Sequence, residues 1–187
     1  MPETAEICYM LRGSNDLMTQ DQRKVATGAL SGIIAMILLV WGLSTLITAP
    51  DMADTAGDRL AYAIRWTTFP ALTFLAMIVS VGNARFASEA IDPTLGKESQ
   101  KMIVDGRVAE NTLQQLVLFL VGMLGLAVTL PFDRLSIVAA VSITFVICRI
   151  AFWIGYRIKP VYRAFGFAST AYMNIGMLVA ILWMWLR

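Results

Sequence analysis

Arg149, Phe152, Tyr156 and Arg163 are the side chains whose types and spacing point most directly to chemistry. Arg149 lies inside Leu135–Ile158, an apolar run long enough to cross a hydrocarbon core at about 1.5 Å per residue. An arginine at the centre of such a helix carries a penalty of roughly 2.5 to 3.5 kcal/mol on insertion scales, so it calls for a partner or a task. On a helix, Arg149, Phe152 and Tyr156 follow i, i+3, i+7 spacing and share one face. Gly155, beside Tyr156, permits close approach of another helix or a ligand. Pro160 then ends or bends the helix and sets Arg163 near the membrane surface just past the break. Two arginines and a tyrosine are thus placed to ring one pocket at a helix end. Planar guanidinium groups suit such a pocket to anions, carboxylates above all.

The segment RVAENTLQQLVLFL, beginning at Arg107, offers an opposite wall. Arg107, Asn111 and Gln114 stand at i, i+4, i+7 with Gln115 beside them, so polar groups descend about one and a half turns before the apolar run takes over. Taken alone, the same residues also fit a helix that enters the membrane through interfacial side chains hydrogen-bonded to its neighbours. The chain has no histidine, which removes the commonest general base, His-dependent nucleophiles, HExxH zinc chemistry and His-ligated haem. It also lacks the glycine-rich phosphate loops of nucleotide-binding proteins. Two cysteines, Cys8 and Cys148, are too few for a disulfide framework. Chemistry must therefore come from arginine, tyrosine, carboxylate, amide or a cofactor.

The elements that position these residues are membrane spans. Of 187 residues 58% are hydrophobic and the mean hydropathy is +0.68, beyond what a soluble domain carries. Net charge is +2 and the basic residues form no aromatic-interleaved patch, which argues against nucleic acid. Residues 1–24 are polar, with Glu3, Glu6, Asp16 and Asp21, do not resemble a cleavable signal, and are expected to remain as a cytoplasmic tail. Span one occupies 25–50, without a charge before Asp51. Span two covers about 61–84, with Arg65 and Trp66 suited to the interface and Pro70 predicted to kink it. A polar linker, Arg85–Asp105, precedes spans at 107–132, 135–158 and 164–186, the first two joined by a tight Pro131–Arg134 turn. With the N-terminus inside, the inner side collects ten lysines and arginines, among them Arg12, Lys24, Arg85, Arg107 and Arg163. The outer side holds four, namely Arg59, Arg65, Arg134 and Arg187. That bias predicts an inside N-terminus and an outside C-terminus. Short turns predict antiparallel neighbours in a bundle.

On these residues the sequence resembles the membrane-associated proteins in eicosanoid and glutathione metabolism, the MAPEG family. That family opens one helix with Arg-x-x-x-Asn-x-x-Glu, where this chain reads Arg107-Val-Ala-Glu-Asn111-Thr-Leu-Gln114. Its next helix carries Arg, an aromatic, Gly-Tyr and a further Arg, here Arg149, Phe152, Gly155-Tyr156 and Arg163. Arg85 stands where members often have an arginine after their first helix. The resemblance covers about 65–187 and makes residues 61–187 a four-helix membrane domain, with span one as an extra N-terminal helix. It implies a homotrimer with glutathione as co-substrate near the cytoplasmic side between subunits. It further implies that Arg85, Arg107, Asn111, Gln114, Gln115, Arg149, Phe152 and Tyr156 shape the glutathione site and that Arg163 faces the sulfur. A thiol pKa near 8.5 falls to about 6.5 with about 2.7 kcal/mol of differential stabilisation, which a fixed cation supplies. Two departures stand out: Gln114 replaces the usual glutamate, leaving a neutral hydrogen bond, and Phe152 replaces a frequent tyrosine.

Three functions remain open on the sequence. One is a glutathione-dependent transferase or peroxidase acting on small hydrophobic electrophiles. A second is a non-catalytic protein binding lipid or a partner at the same cleft. The third is a small channel- or transporter-like bundle in which Arg149 marks the pathway. In a bacterial cell the location would be the inner membrane. Met173, Met177, Trp183 and Trp185 read as packing and interface residues, and Gly28, Gly32 and Gly42 as sites of close helix contact.

Overall fold

The computed structural model of this chain describes residues 18–51 and 53–187. Most of the expected N-terminal tail, with Cys8, Arg12 and the acidic residues Glu3, Glu6 and Asp16, lies outside the described residues. Five long helices follow in order: α1 (Gln20–Leu46), α2 (Ala56–Phe86), α3 (Gln100–Thr129), α4 (Ser136–Ile158) and α5 (Arg163–Trp185). All five are long and apolar enough to cross a membrane, and the described residues contain no strand. This is an all-α, multi-pass integral membrane protein.

The first three helices begin five to seven residues before the charge-free stretches predict. Polar caps set those starts. Thr19 and Gln22 form a reciprocal capping box at α1, with Thr19 Oγ1 accepting from the Gln22 N–H at 3.2 Å and Gln22 Oε1 accepting from the Thr19 N–H at 2.8 Å. Thr55 and Asp58 repeat the device at α2, and the Ser99 hydroxyl caps α3 through the Met102 N–H. Helix α1 ends at Leu46 rather than at Pro50, and α3 at Thr129 rather than at 132. The Arg85–Asp105 linker shortens accordingly, because α3 already begins at Gln100. Helix α2 runs unbroken as a helix through Pro70. Between α2 and α3 lie two single 3-10 turns, with Gly96 in the left-handed region (φ 65°) where a side chain would be strained. In that linker the Thr94 hydroxyl and N–H both donate to Asp92, holding its carboxyl below the usual carboxylate range.

The core sits where α3, α4 and α5 meet. Phe119 and Phe145 stack with centroids 4.3 Å apart, and Met123, Val138, Met173 and Met177 close around them. Helix α2 packs on α3 and α4, and α1 packs most extensively on α5 and then on α4. Polar pins add to this apolar packing: the Ser142 hydroxyl donates to Trp66 O at 2.6 Å and Ser136 to Ser44 O at 3.0 Å. At the same end as Ser44 and Ser136, Arg59 donates to Leu130 O at 2.8 Å, a carbonyl freed where α3 ends, and to Ala53 O at 3.1 Å in the loop that leads into α2. Outward-facing Trp41, Phe69, Val121, Trp183 and Trp185 are exposed, as lipid-facing residues must be.

Candidate binding pocket

At the other end of the bundle, a cavity of about 660 Å³ opens among α1, α3, α4 and α5. Its size is that of a small-molecule site. Arg107 and Asn111 enter it from the first turns of α3, Phe152 and Tyr156 from the last turns of α4, and Arg163 from the start of α5. Helix α4 stops at Ile158, Lys159 is extended, and Pro160–Tyr162 forms a 3-10 turn that delivers Arg163 back against the helix it has just left. Gly155 makes this reversal possible: a Cβ there would lie 2.8 Å from the Tyr162 carbonyl oxygen. The close approach predicted at Gly155 is therefore to the turn itself. Arg163 Nη1 donates to Tyr156 Oη at 2.7 Å, and its guanidinium sits 4.9 Å from that ring's centroid. The arginine is thus fixed at the cavity mouth while its remaining N–H groups can serve an anion.

Arg149 lies behind the cavity wall with no exposed surface. Nη1 donates to Asn111 Oδ1 at 2.9 Å and lies 3.5 Å from Thr112 Oγ1, while Nη2 donates to Thr170 Oγ1. The guanidinium also stands 4.7 Å from the Phe152 ring centroid and 5.8 Å from that of Phe145. Among the described residues no carboxylate pairs with it. A guanidinium can only donate, so Asn111 must turn its oxygen to Arg149 and present its NH₂ toward the cavity. The buried cation therefore decides what the pocket-facing amide offers. Arg107, Arg163 and Asn111 make a rim rich in donors, and no described lining residue is a carboxylate.

Besides Arg149, three residues of the expected glutathione site lie outside the lining of this cavity. Gln114 lies on the stripe of Arg107 but about 10 Å further along α3, exposed and outside the lining. Gln115 is buried against α5, where Asn174 Nδ2 donates to its side-chain oxygen at 2.9 Å and its main-chain oxygen at 3.0 Å. Arg85 pairs with Glu98 at 2.7 Å across the linker. Asp105, at the end of the predicted linker, is instead a buried residue of α3. Its side chain is 3% exposed and accepts two hydrogen bonds of 2.6 Å from Arg157 and one of 2.8 Å from Trp153 Nε1. Arg157 continues to Ser80 at 3.2 Å and stacks on Trp153 at 4.6 Å, joining α2, α3 and α4 at the pocket end. Nothing in the sequence links Asp105 to Arg157, 52 positions away on another helix.

Residues 63–183 match the MAPEG family. The chain belongs to that family. Curated relatives include transmembrane protein 79 of Mus musculus, 22% identical over 160 residues that make up 82% of this chain and 40% of the relative. The Bos taurus protein of that name is 22% identical over 157 residues, 84% of this chain and again 40% of the relative. An uncharacterized protein of Synechocystis is 30% identical over 122 residues, 63% of this chain and 85% of its own. The chain thus spans about two fifths of the length of the transmembrane protein 79 relatives. No solved structure matches with significance. Helix α1 of this MAPEG protein precedes the matched segment, yet Val25 and Ala29 of α1 line the cavity.

Proposed function

We propose that this MAPEG protein binds glutathione in the cavity and uses the thiolate against small hydrophobic electrophiles delivered through the bilayer. The observation that carries this reading is Arg163, held by Tyr156 at 2.7 Å at the mouth of a cavity it shares with Arg107 and Asn111. Arg107 would take a carboxylate of the tripeptide and the Asn111 NH₂ a carbonyl or carboxylate oxygen. Arg163 would stabilise the sulfur anion, as the family resemblance implies. The thiol proton leaves to solvent at the exposed Arg163 edge. The sulfur lone pair then forms the bond to the electrophilic carbon as its leaving group departs.

Calorimetric titration of the purified protein with glutathione tests the reading. Binding that Arg107→Ala weakens roughly tenfold, and thiolate absorbance that Arg163→Ala shifts to higher pH, are the expected results. A second reading, binding of an anionic lipid without catalysis, draws on the cavity's predominantly apolar lining. It draws also on the lack of any described carboxylate to receive the glutathione ammonium group. No heat of binding at millimolar glutathione, with an acidic lipid co-purifying, would favour it.

A further inference from the structure

Helix α1 lies outside the segment that matches the family, and it nevertheless closes one side of the cavity. Its position is held along its length by α5. Gly28 faces Ala164, where a Cβ would meet the Ala164 Cβ at 3.4 Å, and at Gly32 an added Cβ would collide with the Phe165 carbonyl. The Ser169 hydroxyl donates to Gly32 O at 2.9 Å, a bond between residues 137 positions apart. Ala29 shares the turn of Gly28, so the contact that seats α1 also fixes how far the Ala29 methyl stands from α5. Across the cavity from Val25 and Ala29, the lining of α5 runs from Arg163 through Phe167 to Tyr172, about 13 Å of helix. The cationic group is at one end of that line and only apolar carbon and one phenol follow it.

We propose that α1 is the selectivity wall of this pocket: the apolar group carried on the ligand's sulfur lies between α1 and α5, and Ala29 sets the girth it can have. The inference rests on the reading of the cavity as a glutathione site. It makes side-chain bulk at position 29 the control on the size of the S-substituent the pocket accepts, with the native alanine leaving room beside α5 for an extended alkyl group.

The probes are glutathione, S-methylglutathione and S-hexylglutathione, titrated calorimetrically into the full-length protein and into Ala29→Trp, Ala29→Leu and Leu30→Trp. Leu30 is 60% exposed on the lipid side of the same turn and controls for added bulk. In the wild type, S-hexylglutathione is expected to bind about tenfold or more tighter than S-methylglutathione, because added methylenes leave water. Ala29→Trp abolishes that ratio, Ala29→Leu reduces it, and Leu30→Trp leaves it unchanged. If Ala29→Trp fails to fold, the Ala29→Leu ratio decides. Equal affinities for the two S-alkyl compounds in the wild type, or a ratio that survives substitution at Ala29, overturn the inference while glutathione binding leaves the parent reading standing. Absence of binding by glutathione and both derivatives overturns the two together.

Discussion

At the residue scale, Arg149 is the side chain whose energetics and role part company. Its three hydrogen-bond partners lie on α3 and α5, and such bonds between membrane helices average about 0.6 kcal/mol each, so together they return about 2 kcal/mol. The penalty for placing an arginine mid-helix is roughly 2.5 to 3.5 kcal/mol, so the bonds do not outweigh it. Thr170 also donates to Gly166 O and Asn111 reaches the cavity, so of the three partners the buried Thr112, which lies at the long distance of 3.5 Å, is the one left most dependent on the guanidinium. Arg149→Met is therefore expected to melt within a few degrees of the wild type yet bind glutathione roughly tenfold more weakly, because the Asn111 amide is freed to flip. A thermal melt and a titration on the same preparation check both halves. Asp105 is the opposite case. Its carboxylate accepts three N–H donors in a buried setting, but Arg157, 34% exposed, can turn to water when released. Asp105→Ala is expected to destabilise by about 2 kcal/mol, below the loss for a fully buried pair, read by denaturation in mixed micelles. That Arg149 would hydrogen-bond to α3 was legible in the sequence, which offers Asn111 and Glu110 there as plausible partners; the fold selects Asn111. Asp105 and Arg157 were not, because each stands near a span end and reads as an ordinary interfacial charge.

At the scale of elements, glycines decide how closely helices approach. Gly166 of α5 faces α4, where a Cβ would lie 2.5 Å from both Cys148 O and Phe152 N, backbone atoms that cannot swing aside. Gly176 of the same helix has nothing within 4 Å of a would-be Cβ. Gly166→Ala should thus cost about 2 kcal/mol and displace Phe152 at the cavity wall, while Gly176→Ala should be neutral or stabilise by up to about 1 kcal/mol through helix propensity. Melting curves of the two variants give the comparison, and equal shifts would refute the packing account. The number and order of the helices followed from apolar run length alone. Their starts did not, because Thr19, Thr55 and Ser99 cap helices within polar stretches, where charge marks the edge of the hydrocarbon but not the edge of the helix. Nor was the seat of α1 legible: Gly28 and Gly32 announce a close contact without naming α5 as the surface that receives it.

For the whole molecule, five helices long and apolar enough to cross a membrane predict that Met18 and Arg187 lie on opposite sides of it. The distribution of lysine and arginine predicts a C-terminus outside, so a reporter fused after Arg187 should be active only in the non-cytoplasmic compartment. Only 11% of the apolar window of α1 and 22% of that of α2 are buried, which leaves broad faces for lipid or for further copies. The family resemblance leads us to expect three copies per particle, and native mass measurement from mild detergent would reveal a monomer if that is wrong. The bond from Ser169 to Gly32 also has a temporal meaning. Arg107, Asn111 and Tyr156 all leave the ribosome before α5 does, but the cavity has no far side until α5 arrives and gives α1 its seat. Thr170 likewise reaches Arg149 last, so during synthesis the arginine depends on Asn111 and Thr112 in the α3–α4 hairpin alone. A nascent chain therefore gains its pocket only once α5 has been made, and a slow insertion of α5 would leave a four-helix species in the bilayer that lacks it.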